Sequence, residues 1–453
     1  MPKLFLMSST SVPKGTRDFL PDQMSGRKFL LNLLEELFQR HAFLPIETPS
    51  MEKIDTLLGK YGEEGDRLIF KVLNRGDRLS RALSSICSQS DIAVKETNSL
   101  ADAALRYDLT IPFARFISQH RNDLHFPFKR YQIQPVWRAD RPQKGRYREF
   151  VQCDVDIIGS SSILNELELI QITGEAFSSL GLSDVIVKIN HRKLLEGIVT
   201  ETGTNVPFQK ITIVLDKWEK IGLEAVKNEL SQAGMKEKEI EVLIRYVHQN
   251  TSINSIQTLP SNQMIEAGCS ELEQILDWAD KYCKVKVELD LKLARGLDYY
   301  TGIIIEAIHP EFGSSILGGG RYDNLTGMFG LPGVSGVGIS FGADRIYDLL
   351  SLKRLLPESP FNRKSVLILN LGAEPEWMIR AASLIRESDA VADIYPDESK
   401  LKKQMKFAND KGFDFVVFMG AKERSEGTLK IRNMQSGDEL ELKSDELSTF
   451  FKK

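Results

Sequence analysis

Cysteine is scarce in this 453-residue chain, and its four copies, Cys87, Cys153, Cys269 and Cys283, include no C-x-x-C pair. That pattern argues against a disulfide framework or a cysteine zinc site and fits packed thiols in a reducing compartment. The six histidines are as dispersed, so no metal site is expected. G-x-x-x-x-G-K-[ST] and H-E-x-x-H are missing, which removes a P-loop and a zincin-type protease. No uncharged apolar stretch reaches membrane-spanning length, and the apolar run from Leu4 to Met7 is too short for a signal-peptide core. The expectation is a cytoplasmic chain with no membrane partner. An excess of one charge is lacking as well: a net charge of -4 and a pI near 6.0 leave any nucleic-acid contact to local patches on an acidic body.

What is present has globular proportions, with 42% hydrophobic and 27% charged residues, and length enough for several units that need no covalent staples. Phe29, Leu30, Leu33, Leu34, Leu37 and Phe38 recur at helical spacing among Lys28, Glu35, Glu36 and Arg40, which predicts an amphipathic helix over 23–40. It runs into Phe43, Pro45 and Pro49, and because the residue before a proline is pushed toward extended backbone, a strand should follow. A short strand is expected at 68–72, the serine-rich stretch 83–90 is expected to be irregular, and no chemistry is assigned between 61 and 100. Periodicity then predicts a helix over 165–180, a strand over 185–189, a mostly helical insertion over 194–280, and strands at 285–291 and 303–308 that pair with each other. A proline- and charge-bearing linker at 351–364 separates a first domain, 1–350, from a second, 365–453. In the second, near-continuous apolar runs at 366–371, 391–395 and 413–419 alternate with helices near 375–386 and 400–411, as in a parallel sheet covered on both faces. Further strands at 428–432 and 439–443 would extend it.

The strongest local signal lies over 129–158, two strands joined by a loop at 139–148. On the first, Tyr131, Ile133 and Trp137 share one face and Arg130, Gln132, Gln134 and Arg138 the other. On the second, Val151, Cys153, Val155 and Ile157 are opposed by Phe150, Gln152, Asp154 and Asp156, because side chains alternate along a strand. A half-buried strand pair whose second face offers arginines, amides, carboxylates and a phenylalanine suits a ligand better than solvent. The loop adds Arg141, Lys144, Arg146 and Arg148, enough positive charge to gather a triphosphate or an RNA end, although a solvated basic hairpin would read the same way.

Upstream, Leu105, Tyr107 and Leu109 alternate with Arg106, Asp108 and Thr110, which predicts a third polar strand face. Asp108 there suits either a substrate ammonium group or a structural hydrogen bond. Downstream, Arg295, Asp298, Tyr299 and Tyr300 surround Gly296 and precede Gly302, where glycines let backbone approach a ligand. Adjacent tyrosines in a strand face opposite ways, so only one would line a pocket unless the backbone turns. Gly318 to Gly320 form another tight element before Arg321, Tyr322 and Asp323. Gly336, Gly338 and Gly342 are spaced G-x-G-x-x-x-G and run into a helix bearing Arg345, which is not the dinucleotide fingerprint.

The helix leading into Phe43 to Pro49, the hairpin carrying Arg138 and the glycine-rich segment ending at Arg345 resemble motifs 1, 2 and 3 of class II aminoacyl-tRNA synthetases. LARGLDYYTG at 293–302 and GGGRYD at 318–323 resemble the two histidine-specific motifs of the histidyl-tRNA synthetase family. PKGTRD at 13–18 is similar to its N-terminal signature. The resemblance implies an α/β (α+β) fold: a mostly antiparallel sheet flanked by helices, a small C-terminal α/β anticodon-binding domain, and a homodimer built through motif 1. It also implies a ligase that activates L-histidine with ATP and Mg2+ and transfers histidine to the 3′ end of histidine tRNA.

Carried over by resemblance, Arg138 would contact the α-phosphate and the substrate carboxylate, Arg295 the developing charge at the α-phosphate, and Phe150 the adenine ring. Arg146 and Arg148 would engage phosphates and Arg345 would stack against bent ATP. Asp108, Thr110, Gln152 and Asp156 would hold the histidine α-amino group, and Tyr299, Tyr300 and Tyr322 would line the imidazole pocket. Some members carry Glu-Gly-Thr in place of Asp108, Leu109 and Thr110, and Glu in place of Asp156; this chain keeps the charge and shortens the reach. Two alternatives share the fold: a histidine-sensing regulatory subunit of ATP phosphoribosyltransferase, and a synthetase of the same subclass for another amino acid.

Overall fold

The computed structural model describes residues 10–87, 96–143, 145–249, 256, 259–294, 299–357 and 363–452. Two compact units divide the chain: Met1–Asp18 with Arg27–Leu355, and Phe19–Gly26 with Leu356–Lys453.

The larger unit is organised by an eight-stranded sheet. Its strands run in the order Leu44–Pro45, Phe128–Trp137, Glu149–Ile158, Gly336–Gly342, Ser315–Tyr322, Ile303–Ile308, Ile186–His191 and Lys286–Leu289. Both outermost pairings are parallel and those between are antiparallel, so the sheet is mostly antiparallel, as the resemblance implied. The helix Pro21–Arg40 buries Leu30, Leu34, Leu37 and Phe38 completely or nearly so. Phe38 meets Tyr131 and Phe341 at ring separations of 5.9 and 5.7 Å, and Phe177 of the helix Leu164–Ser179 meets Phe341 at 5.9 Å. These aromatics cover the apolar face of the sheet, and each such ring contributes about 0.5–1.5 kcal/mol beyond its buried area. The opposite face is left polar.

Three expectations are corrected. The serine-rich stretch begins as the helix Gly76–Cys87, in which the Ser84 hydroxyl donates to the Ser80 carbonyl at 2.9 Å, so serine satisfies helical backbone instead of breaking it; residues 88–90 lie outside the described ones. Lys286–Leu289 does not pair with Ile303–Ile308 but runs parallel to Ile186–His191, which lies between them. The cause is the helical block from Arg192–Glu201 to Gln263–Tyr282: it acts as a crossover, and a crossover returns the chain parallel to the strand it left. The third polar strand face does not exist, because the strand stops at Leu105 and a helix, Thr110–Gln119, starts five residues later.

The smaller unit has a five-stranded sheet ordered Val391–Ile394, Ser365–Leu371, Phe415–Gly420, Thr428–Asn433 and Glu439–Lys443. The first three strands are parallel and the last two antiparallel. Alternation sends Val366 and Ile368 into one apolar cluster and Leu367 and Leu369 into another. Both faces are therefore covered, which is why the central strands are apolar at nearly every position, with Ser365 and Asn370 as the polar exceptions in Ser365–Leu371.

Candidate active site

Strand register builds the site. Pairing of Phe128–Trp137 with Glu149–Ile158 sets Arg130 opposite Asp156, Gln132 opposite Asp154 and Gln134 opposite Gln152. On the other side Gly338 faces Asp156 and Ser340 faces Asp154. Residues directly opposite in an antiparallel pair project to the same face, so the amides and carboxylates converge on one floor. Gly338 keeps that floor open: a Cβ there would land on Asp156 Oδ1, 2.5 Å from its Cγ. The glycine run 318–320 belongs to the strand Ser315–Tyr322, and a Cβ on Gly319 would meet the neighbouring strand's backbone at Gly338 and Ile339.

Over the floor lies a cavity of about 320 Å3 whose lining includes Asp108, Thr110, Gln152, Asp154, Asp156, Tyr299, Tyr300 and Tyr322. Both tyrosines of the 299–300 pair reach it, their rings 4.8 Å apart, because they precede the strand Ile303–Ile308 and are not in a strand themselves. Asp108 sits just before the Thr110–Gln119 helix and accepts from the Ile111 amide at 3.2 Å and the Tyr61 hydroxyl at 2.8 Å. Burial still raises its carboxyl above the usual range, against the pull of Arg138. Asp156 accepts from the Tyr322 hydroxyl and lies 2.8 Å from Nη2 of the fully buried Arg130. Arg130 in turn rests 4.1 Å from the Phe113 ring centroid.

A second cavity, about 150 Å3, shares Arg138, Arg146, Gln152, Gly318 and Ser340 with the first and adds Phe150 and Arg345. Arg138 stands 4.3 Å over the Tyr107 ring and 5.2 Å from that of Phe150, and its Nε donates to the Tyr107 carbonyl at 3.0 Å. Arg345 donates to the Gly145 and Ser315 carbonyls at 2.8 and 2.7 Å. An acidic, tyrosine-walled chamber is thus joined to a cationic one through Arg138, an arrangement that accepts an ammonium group on one side and a polyphosphate on the other.

Of the expected site residues that are described, Arg148 is not among those lining either cavity. Arg148 turns its Nε to the Asp140 carbonyl at 3.1 Å, tying the loop to itself. Arg295 lies outside the described residues. Conversely, Tyr61 and Tyr107 line the acidic cavity although no chemistry was expected around 61; the signal was an aromatic followed by Gly62 and Gly65, with Gly65 so close to Tyr61 that a Cβ would strike its side chain. Arg106 was expected beside Asp108, but it is fully buried and donates to the Thr48 and Pro135 carbonyls and to Gln134, bracing the segment that precedes the helix.

An antiparallel sheet carrying an acidic chamber coupled to an arginine-bearing one defines an amino-acid ligase of the class II synthetase type. Comparison with known proteins narrows the class. The family model for histidyl-tRNA synthetase matches residues 83–346 and that for the anticodon binding domain matches 365–453. A histidine–tRNA ligase of Phocaeicola vulgatus is 46% identical over 98% of this chain and 99% of its own length. One from Christiangramia forsetii is 44% identical over 97% and 98%. Among solved structures, the histidyl-tRNA synthetase of Nostoc sp. PCC 7120 superposes with a TM-score of 0.79 at 28% identity, covering 98% of this chain and 99% of that one. The chain belongs to the histidyl-tRNA synthetase family.

Proposed function

We propose that this protein activates L-histidine with ATP, releasing pyrophosphate, and then transfers histidine to the 3′ end of histidine tRNA. The observation that carries the proposal is the junction of the two chambers at Arg138. A zwitterion whose ammonium enters the acidic chamber, near Asp108, Thr110 and Gln152, presents its carboxylate toward Arg138, and the imidazole falls among Tyr299, Tyr300 and Tyr322. Adenine stacks on Phe150, with the phosphates toward Arg146 and Arg345. A histidine carboxylate oxygen then forms a bond to the α-phosphorus as the bond to pyrophosphate breaks. The carboxylate is already ionised, so no protein base is needed, and alignment and fixed positive charge lower the barrier. Arg138 is held against the Tyr107 ring and hydrogen-bonded to the Tyr107 carbonyl before substrate arrives, which is the preorganisation such a step requires. Arg295 is assigned to the α-phosphate on resemblance alone, and Mg2+ enters with the triphosphate as part of the substrate.

The tRNA docks through the smaller unit, where Lys400, Lys402, Lys403, Lys406 and Lys411 are all exposed on or beside the helix Leu401–Asp410 and supply phosphate contacts. A homodimer through motif 1 is supported by the sheet edge at Leu44–Pro45, where Leu44 and the nearby Met51 are each 57% exposed. Among the described residues no helix is long and apolar enough to cross a membrane, consistent with work in the cytoplasm. Against a regulatory subunit that does not charge tRNA stand Arg138 and Arg345 in the cationic chamber and the anticodon-binding match at 365–453. The test is amino-acid-dependent exchange of pyrophosphate into ATP across all twenty amino acids. Histidine alone should support exchange; exchange with another amino acid, or with none, overturns the reading.

A further inference from the structure

Gln152, Asp154 and Asp156 follow one another along the polar face of the strand Glu149–Ile158, and all three line the acidic cavity. Their situations differ. Asp156 faces protein on both oxygens: Oδ1 accepts from the Tyr322 hydroxyl, and Oδ2 lies 2.8 Å from Arg130 Nη2 as an ion pair, the Nε and Nη2 of that guanidinium being without a hydrogen-bond partner. Gln152 donates its Nε2 to the Ser340 hydroxyl at 2.8 Å, and its Oε1 is buried without a partner. Asp154 Oδ1 is likewise buried without a partner; its other oxygen stands 3.9 Å from Arg130 Nη2, beyond hydrogen-bond range, and the carboxyl's protein hydrogen bond comes from the Ser340 side chain. Asp154 is 2% and Gln152 8% exposed. Leaving buried acceptors unsatisfied is costly, most of all for a carboxylate, so two of them side by side at one cavity call for a ligand that is cationic and rich in donors.

We propose that Asp154 is a substrate-binding residue: its Oδ1 accepts a hydrogen bond from the α-ammonium group of the amino acid, beside Gln152 Oε1, while Asp156 serves as a positioning residue for Tyr322. The proposal rests on the functional reading of the same cavity and adds to it, since the resemblance shared the ammonium among Asp108, Thr110, Gln152 and Asp156 and gave Asp154 no role. The environment agrees with an unmet demand for positive charge. Burial pushes the Asp154 carboxyl up to about 7; Arg130 and the Ser340 hydrogen bond oppose the shift, and Asp156 and Asp108 add to it.

The test uses the full chain and two ligands, histidine and its des-amino analogue 3-(imidazol-4-yl)propionate, with dissociation constants measured by calorimetry for wild type and Asp154→Asn. In wild type, histidine should bind at least about 100-fold more tightly than the analogue, and in Asp154→Asn that ratio should fall below about tenfold while the analogue's affinity moves less than threefold. If Asp154 were structural, both ligands would weaken together and the ratio would stand, which overturns the proposal. Asp154→Ser, which removes the buried charge without adding volume, is the second variant should Asp154→Asn not fold, with the same ratio as its readout. Asp156→Asn should weaken both ligands alike; a ratio that collapses there instead returns the ammonium to Asp156 and overturns the assignment. A wild-type protein that does not bind histidine overturns the functional reading as well, whereas an unchanged ratio in a histidine-binding protein overturns this assignment alone.

Discussion

Gly338→Ala is the smallest change that tests whether the polar floor is closed by backbone spacing. Its Cβ would sit 1.9 Å from Asp156 Oδ1 and 2.5 Å from its Cγ, against an ordinary contact of about 3.5 Å, so the carboxylate must retreat by about 1–1.5 Å. Asp156 has little freedom to do so, being 3% exposed and held by Arg130 and Tyr322. A retreat of that size stretches the 2.8 Å ion pair with Arg130 and leaves a fully buried guanidinium without its nearest anion. Overpacking alone costs about 1–3 kcal/mol, and breaking a buried ion pair about 3–5 kcal/mol. The two do not add, because the shift that relieves one causes the other, so a loss of about 3 kcal/mol is expected. Chemical denaturation measures it, with Gly327→Ala as the control, since a Cβ at Gly327 meets nothing nearer than 3.6 Å. The same variant should raise the histidine KM in pyrophosphate exchange, because Tyr322 follows Asp156. A Gly338→Ala protein within about 0.5 kcal/mol of wild type, with an unchanged KM, would refute the reasoning.

Three further outcomes follow from the same geometry. Tyr61→Phe removes the hydroxyl that donates to Asp108 at 2.8 Å; a hydrogen bond to a charged group is worth about 1.5–3 kcal/mol, so the histidine KM should rise about tenfold or more, and an unchanged KM would show that Tyr61 does not orient the carboxylate. Arg138→Lys loses the guanidinium held 4.3 and 5.2 Å from the Tyr107 and Phe150 ring centroids, whose forked donors an ammonium cannot reproduce; exchange should fall about 100-fold or more with histidine affinity changed by less than tenfold, and a loss confined to affinity contradicts the assigned role. Asp154, raised to about 7 by burial, holds a proton in the folded chain that the unfolded chain releases near pH 4, a linkage that contributes stability below about pH 4 and is lost as pH rises through about 7. Asp154→Asn cannot titrate, so its stability relative to wild type should climb between pH 5 and pH 8 in denaturant titrations; a flat difference means that Asp154 titrates no differently when folded.

The parts of this molecule legible in sequence are those governed by local periodicity. Alternation along 129–158 separated Tyr131, Val155 and their neighbours from Gln132, Asp154 and Asp156 before any pairing was known, and the register then set the polar halves against each other. Apolar runs marked the parallel strands of the smaller unit for the same reason. Legibility failed where the backbone leaves regular structure. The alternation of Leu105 to Thr110 imitates a strand, yet Asp108 binds the Ile111 amide at the start of a helix, and a polar residue just before a helix is as well explained by that amide as by strand parity. Tyr299 and Tyr300 reach one cavity only because they stand outside the sheet.

Partnership is the other thing periodicity cannot report. Arg130, Asp154 and Asp156 share a face in the sequence, but nothing there tells that Arg130 lies 2.8 Å from one carboxylate and 3.9 Å from the other. That difference of about an ångström pairs one acid with the guanidinium, while the Oδ1 of the other stays buried without a partner. Family motifs identify the acids; only three-dimensional accounting of hydrogen bonds separates the one that supports the pocket from the one left for the substrate. If the polar floor works this way, changes at Arg130 should act on both acids together. Arg130→Met should leave Asp156 buried without its cation and lose about 3–5 kcal/mol of stability, more than Asp154→Asn, and the opposite ranking would mean that Asp154, not Asp156, is the anion on which Arg130 depends.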